Sequence, residues 1–146
     1  VRDKVVAEGV TLITHANNKM FFERALNTPR TLLTDRLAKA PQKVKIETVG
    51  AKRVYSDGTR TVEFHHVMPT PHTNGMLVAL IPKERILFQA DYTLPAAGQQ
   101  PNDHVRALVT FLEKTKLDFG TFIPVHAPAA PLTKADVFAA VGKPAP

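Results

Sequence analysis

The sequence predicts an α/β protein built on a mixed β-sheet with helices on its outer face. Two observations carry that prediction. Short β-branched and apolar runs, bounded by Gly, Pro, Asn and Asp, crowd residues 10–89. From residue 94 onward a helix-period segment, a strand and a second helix alternate. At 146 residues the chain is one domain's worth of polypeptide and can bury a core of its own. Residues 1–146 therefore read as a single domain.

Taken in order, residues 2–8 read as the end of a helix that Gly9 stops. Residues 10–14, Val-Thr-Leu-Ile-Thr, form a short β-branched strand. Asn17 or Asn18 caps a helix running to Leu26, with Met20, Phe21 and Leu26 on its apolar side. Thr28 and Pro29 open a helical or irregular stretch through Ala38. Residues 43–49 alternate apolar and charged side chains, as a half-buried strand does. The Ser56-Asp57-Gly58 turn joins residues 52–55 and 59–67 into a hairpin. Apolar strands at 76–80 and 85–89 flank a tight turn at Pro82-Lys-Glu-Arg85. After a Pro/Gly/Gln-rich loop at 94–101, residues 102–116 set Val105, Leu108, Val109 and Leu112 on one helical face. A strand ending at His126, a proline-rich loop and a short helix capped by Thr133 complete the pattern.

Composition removes several function classes. Apolar residues at 44% and charged residues at 22% are ordinary for a soluble globular protein. No apolar run approaches the ~20 residues of a membrane span. With no cysteine, any metal site must be built from His, Asp and Glu. The net charge of +6 and pI near 9.8 invite a nucleic-acid reading. The basic residues Arg36, Lys39, Lys43, Lys45, Lys52 and Arg53 are interleaved with Ala, Val and Ile, without stacking aromatics. They read as a solvated face, and no nucleic-acid partner is expected. The chain opens on Val1 without a signal-peptide pattern, and is expected to be a piece of a longer protein. Composition does not separate a cytoplasmic from a periplasmic location.

The chemistry-bearing residues stand at strand ends. His72 leads into the strand at 76–80, and the strand at 85–89 runs out onto Asp91. Pairing of those strands carries imidazole and carboxylate to one edge of the sheet. His126 repeats the device at the exit of Phe119-Gly-Thr-Phe-Ile-Pro-Val-His126. Two histidines and an aspartate supply the nitrogen and oxygen donors that a borderline metal such as zinc takes.

These residues, in this order and with these intervening strands, resemble the metallo-β-lactamase-fold hydrolases from about Val5 to Val141. The resemblance is to the C-terminal part of that fold, which is a two-sheet sandwich with helices outside. Residues 6–15 followed by 18–23 are similar to the helix-strand-helix that comes after the family's first metal motif. The H-x-H-x-D-H motif itself is absent from the chain. The resemblance thus implies a partial, incomplete sandwich domain whose missing N-terminal half leaves an open edge and an uncovered apolar face.

Residue by residue, His72 in Thr70-Pro71-His72-Thr73 resembles the family's third histidine, completing the first zinc site. Asp91 resembles the aspartate that bridges both metals, with Ala90 where the family usually has Gly. On the same resemblance Asp91 is the catalytic candidate. His126 resembles the last histidine, a ligand of the second zinc, with Ala127 where Gly is usual. Zinc in this chain would have two protein donors per ion, His72 with Asp91 and Asp91 with His126. Catalytic zinc ordinarily keeps three, so binding is expected to be weak and hydroxide generation poor.

The remaining polar candidates read as structural. Of His65 and His66, on opposite faces of one strand, one packs and the other is solvated; His66 is near enough to His72 to support it. His15 ends a strand near the metal edge, and His104, in the first turn of a helix, is expected to be exposed. Tyr92 reads as a packed aromatic rather than a donor to a substrate carbonyl. Ser56 lies in a hairpin turn with no nucleophile elbow, which disfavours a serine triad.

Two functions from different classes remain. One is a metal-dependent hydrolase in which zinc hydroxide attacks the ester, lactone or amide carbonyl of a small molecule, inactive in this chain alone. The other is a non-catalytic interaction module that self-associates through the uncovered face. The expected partners are a second copy of the chain or the missing N-terminal half.

Overall fold

Six strands between Lys52 and Thr133, each hydrogen-bonded to the next in sequence order, form the sheet on which the candidate site is built. The computed structural model describes residues 6–28, 32, 34–68, 70–96, 98–126 and 130–146. The chain divides into two compact units, Val1–Gly50 and Ala51–Pro146, each with its own apolar cluster.

In the first unit β1 (Thr11–His15) pairs in parallel with β2 (Lys45–Val49), Thr11 opposite Lys45 and His15 opposite Val49. Between them lie a 3-10 turn (Ala16–Asn18), α1 (Lys19–Asn27) and the short α2 (Arg36–Lys39). Gly9 takes the left-handed φ of +69° that a chain reversal requires and that glycine adopts without a Cβ penalty. Most of the helix expected before it, residues 2–5, falls outside the described residues, as do Pro29, Arg30, Thr31 and Leu33 of the stretch after Thr28. Two expectations need correction. The Asn18 side chain makes no cap bond to α1; the helix grows from the 3-10 turn, whose own start is capped by the His15 ring accepting from the Asn17 amide at 3.2 Å. The apolar side of α1 is also not the one expected. Met20 and Phe21 are 80% and 67% exposed, while Leu26 is buried with Leu37 and Val6, and Phe22, one turn before it, packs against them.

The second unit opens with the hairpin β3 (Lys52–Ser56) and β4 (Thr61–His66). Its turn uses Gly58 at a φ of +87° and Asp57, whose carboxylate accepts from the Thr59 and Arg60 amides at 2.8 Å each. β5 (Leu77–Ile81) and β6 (Ile86–Gln89) extend the sheet antiparallel. β6 then pairs in parallel with β7 (Thr121–Pro124), which adds the two-residue β8 (Leu132–Thr133) antiparallel. A parallel neighbour needs a crossover, and α3 (Asp103–Thr115) supplies it.

Residue alternation decides the two sheet faces. Val78, Leu80, Leu87 and Phe122 share one face and are at most 4% exposed. Against them α3 buries Leu108, Val109, Phe111 and Leu112, and α4 (Lys134–Ala139) buries Val137 and Phe138. The helical spacing at 105, 108, 109 and 112 is the one the sequence predicts. Asn102 caps α3 through the Val105 amide, and Thr133 with Asp136 forms a reciprocal capping box on α4. The opposite face carries Phe64, Ala79, Phe88 and Ile123 in register, with Phe88 42% exposed. Among the described residues no helix is long and apolar enough to cross a membrane.

Candidate metal centre

The parallel register of β6 and β7 fixes the first half of the site. Ile86 stands opposite Thr121 and Gln89 opposite Pro124, so continuing both chains brings Asp91 opposite His126. Two bonds hold these exits together: the Val125 amide donates to the Gln89 carbonyl at 3.1 Å, and the Thr93 hydroxyl to the His126 carbonyl at 3.2 Å. His126 Nδ1 consequently lies 3.3 Å from Asp91 Oδ1.

His72 reaches the same carboxylate from the loop between β4 and β5. The loop is closed at its base where Val67 N–H donates to the Met76 carbonyl at 3.0 Å. Further along, His66 Nε2 donates to the Asn74 carbonyl at 2.8 Å, and the Thr70 hydroxyl oxygen accepts from the His72 amide at 3.4 Å. His72 Nε2 stands 3.8 Å from Asp91 Oδ2. The three residues singled out from sequence are thus brought together, each oxygen of one carboxylate facing a different imidazole. All three side chains are open to solvent, at 48% for His72, 36% for Asp91 and 65% for His126.

The donor chemistry suits a borderline metal, with a carboxylate set between two nitrogens as a bridging ligand would be. The donor number does not suit a closed site. Among the described residues, no group of three or more His, Cys, Asp or Glu side chains is arranged to hold a metal ion as the side chains lie.

Two residues of the site were not found by sequence reasoning. Gln89 is 4% exposed, and its side-chain carbonyl accepts from the backbone N–H groups of both Asp91 and Tyr92, fixing the turn that presents the carboxylate. Strand alternation could have found it: Leu87 faces the core, so Gln89 does too, and a buried amide must be hydrogen-bonded. The second is His104. It is half-buried rather than exposed, and its ring centroid lies 5.1 Å from that of His72 with the planes at 51°. No helix-wheel argument places it there, because the approach depends on the path of the loop before α3.

Other candidates resolve as structural. Tyr92 is fully buried, so its phenol cannot meet a substrate. Burial pushes the phenol pKa up, a hydrogen-bonding contribution from Thr70 partly counters it, and Asp91 adds to the rise; among the described residues the hydroxyl has no partner of ordinary hydrogen-bond geometry. His65 is the packed member of its pair, with Nε2 2.8 Å from Glu63 Oε2, and Lys52 Nζ lies 2.9 Å from the same oxygen. Burial would raise the Glu63 carboxyl, but the hydrogen bonds and charges of Lys52 and His65 outweigh it and hold the pKa below the usual value. Beyond Asp91 the chain lines a mainly apolar cavity of about 580 Å³, bounded by Thr93, Leu94, Pro95, Leu132, Ala139 and Ala140 among others.

Solved structures share this arrangement of strands and helices. The metallo-β-lactamase of Pontibacter korlensis superposes with a TM-score of 0.57 at 12% identity, over 92% of this chain and 57% of that one. The fold is that of the metallo-β-lactamases. An archaeal protein of the same superfamily, from Sulfolobus tokodaii, gives 0.56 at 10% identity over 90% of this chain and 57% of its own. The flavodiiron protein of Giardia intestinalis gives 0.57 at 15% identity, over 90% of this chain but 34% of its own. This chain therefore spans between about a third and three-fifths of the length of the structures it matches. No protein-family model and no curated protein sequence matches it.

Proposed function

We propose that this chain is the His/Asp-bearing part of a metallo-β-lactamase-fold metal centre, in which His72, Asp91 and His126 donate to the ions and further donors come from residues outside it. The observation that carries the reading is the Asp91 carboxylate held between two imidazoles at adjoining strand exits. In a complete domain His72, Asp91 and His126 would hold the ions, with Gln89 orienting the Asp91 carboxylate through the Asp91 and Tyr92 amides. Zinc bound there would supply a hydroxide nucleophile at neutral pH and polarise the carbonyl of an ester, lactone or amide. The apolar cavity beyond Thr93 would accommodate the apolar part of such a small molecule. Neighbours of this fold include diiron proteins as well as metallo-β-lactamases, so the identity of the metal is part of the test.

The test is calorimetric titration of the 146-residue chain with Zn²⁺ and Fe²⁺, alongside His72→Ala and Asp91→Asn. Binding at micromolar strength or weaker, lost in both variants, is expected, together with negligible turnover of lactone or lactam substrates. A nanomolar constant or zinc-dependent turnover by the chain alone would overturn the incomplete-centre reading; heat signals unchanged in both variants would overturn the ligand assignment.

A second reading, a self-associating module without catalysis, is favoured by one observation. The sheet face of Phe64, Ala79, Phe88 and Ile123 is apolar, and Phe88 stands 42% exposed. Sedimentation separates the two: metal-independent dimerisation without any site-specific metal binding supports the module.

A further inference from the structure

We infer that the cavity beyond Asp91 seats an uncharged aliphatic chain of the substrate, so that the site acts on aliphatic acyl or alkyl derivatives rather than on compounds ionised at that end. The inference deepens the metal reading above and rests on it for the reacting carbonyl alone. Position links the two. Thr93, on the cavity wall, follows Asp91 by two residues, a span of at most about 7 Å. Its hydroxyl donates to the His126 carbonyl at 3.2 Å, so one wall residue is tied to both strand exits. A molecule whose carbonyl lies against Asp91 therefore has its neighbouring group within reach of the cavity.

The walls decide the class of group. Leu94, Pro95, Leu132, Ala139 and Ala140 give a mainly apolar lining around about 580 Å³, within the ~300–1,000 Å³ of small-molecule pockets. Leu94 and Leu132 pack against the apolar cluster of the six-stranded unit, while Ala139 and Ala140, at the C-terminal end of α4, are small and leave the volume open. Ala96 and Gln99 close on each other: the Gln99 amide donates to the Ala96 carbonyl at 2.9 Å, and the Gln99 side-chain carbonyl accepts from the Ala96 amide at 3.4 Å. Each polar side chain of the lining thus has a partner within the protein. Thr93 donates to His126, Gln99 is bonded to Ala96, and Asp136 Oδ2 accepts from the Thr133 amide and hydroxyl at 2.7 Å each. A chain without polar groups costs none of them its bond. The Thr133 bonds also hold the Asp136 carboxyl below its ordinary pKa, so it is ionised at neutral pH and repels a second carboxylate.

The experiment is a titration of the whole metal-free chain with butanamide, hexanamide, octanamide and octanoate at neutral pH, followed residue by residue in amide NMR spectra. Octanamide should shift the Leu94, Ala96, Leu132, Ala139 and Ala140 amides saturably. Affinity should rise about twofold or more per added methylene, since full burial of a methylene gives about fourfold and these walls are partly open. Octanoate should bind at least about tenfold more weakly than octanamide. Ala139→Leu fills the cavity from an exposed helix position where leucine is well tolerated, and should weaken octanamide at least about fivefold. Ala135→Leu, one turn earlier and outside the lining, should match the wild type, and unchanged amide shifts elsewhere confirm that each variant is folded. Three results would overturn the inference and leave the metal reading as it stands: no saturable shifts at these residues, Ala139→Leu binding as the wild type does, or octanoate binding as tightly as octanamide. Octanamide binding as expected, beside zinc heats that His72→Ala and Asp91→Asn leave unchanged, would remove the metal reading and leave the cavity a chain-binding site in its own right.

Discussion

Replacing Gln89 with leucine tests whether the Asp91 turn is built from within the core. The side chains are similar in size, and the site is 4% exposed, so leucine fits the volume and gains from burial. What it removes is the acceptor shared by the Asp91 and Tyr92 amides. The Asp91 amide is only partly buried and can recruit water, whereas the Tyr92 amide is buried and cannot. An orphaned buried donor costs about 1–3 kcal/mol. Offset by leucine's apolar gain, the net loss should be about 1–2 kcal/mol. With a urea m-value near 1.5 kcal/mol/M, the midpoint falls by roughly 1 M. The chain has no tryptophan and two tyrosines, Tyr55 and Tyr92, both in the six-stranded unit, so tyrosine fluorescence follows that unit alone. Metal affinity should drop as well, by about 10–100-fold, the usual effect of losing a group that orients a ligand. Met76→Leu, which removes only the sulfur 2.8 Å from the Gln89 amide nitrogen, serves as control and should cost under about 1.5 kcal/mol with affinity intact. An unchanged midpoint together with unchanged metal affinity in Gln89→Leu would refute the reasoning.

Four further outcomes are expected. Tyr92→Phe removes a buried hydroxyl without an ordinary partner among the described residues, so thermal unfolding should show stability unchanged or raised by up to about 1 kcal/mol; a clear loss would mean that the hydroxyl is satisfied. The Glu63 carboxyl has a folded pKa below its ordinary 4.5, so its contribution is present above 4.5 and lost as pH falls through the folded value. Denaturation curves between neutral pH and pH 3 should therefore steepen below 4.5 in the wild type and flatten there in Glu63→Gln. Phe88→Lys, at a 42% exposed position on the open sheet face, should shift a self-associating chain toward monomer in sedimentation velocity without unfolding it; a wild type that is already a clean monomer sinks the association idea. Thr133→Ala removes the side-chain half of the α4 capping box, leaving the backbone N–H at that position bonded to Asp136, and should cost about 1 kcal/mol, measured by urea unfolding.

Local chemistry explains what was legible in the sequence. The spacing of Val105, Leu108, Val109 and Leu112, the Asp57-Gly58 turn and the Thr133 cap each depend on a few neighbouring residues, and each appears as expected. The meeting of Asp91 and His126 was legible for a different reason: two strands ending in polar ligand-type residues become neighbours once paired in parallel. Elsewhere tertiary context decided. On α1, Met20, Phe21 and Phe22 are equally apolar, and only the position of Leu26 and Leu37 selects Phe22 as the inward ring. The parallel pairing of β1 with β2 links segments with two helices between them, which no local pattern encodes. His104 reaches His72 by way of a loop whose path is set by neither periodicity nor turn chemistry.

The parallel joint between β6 and β7 also bears on how the second unit folds. The β4–β5 and β5–β6 pairings close over short connections, so the loop carrying His72 and the exit carrying Asp91 can be assembled early. β7 can dock only after the long loop and α3 have been drawn across the sheet, at a larger cost in loop-closure entropy. Its far side is guarded by a strand of two residues. His126 is therefore expected to reach the site after His72 and Asp91. A ligand gripped by Asp91 and His126 together would join the early and late parts of the sheet, acting as a kinetic clasp that slows unfolding far more than it speeds folding.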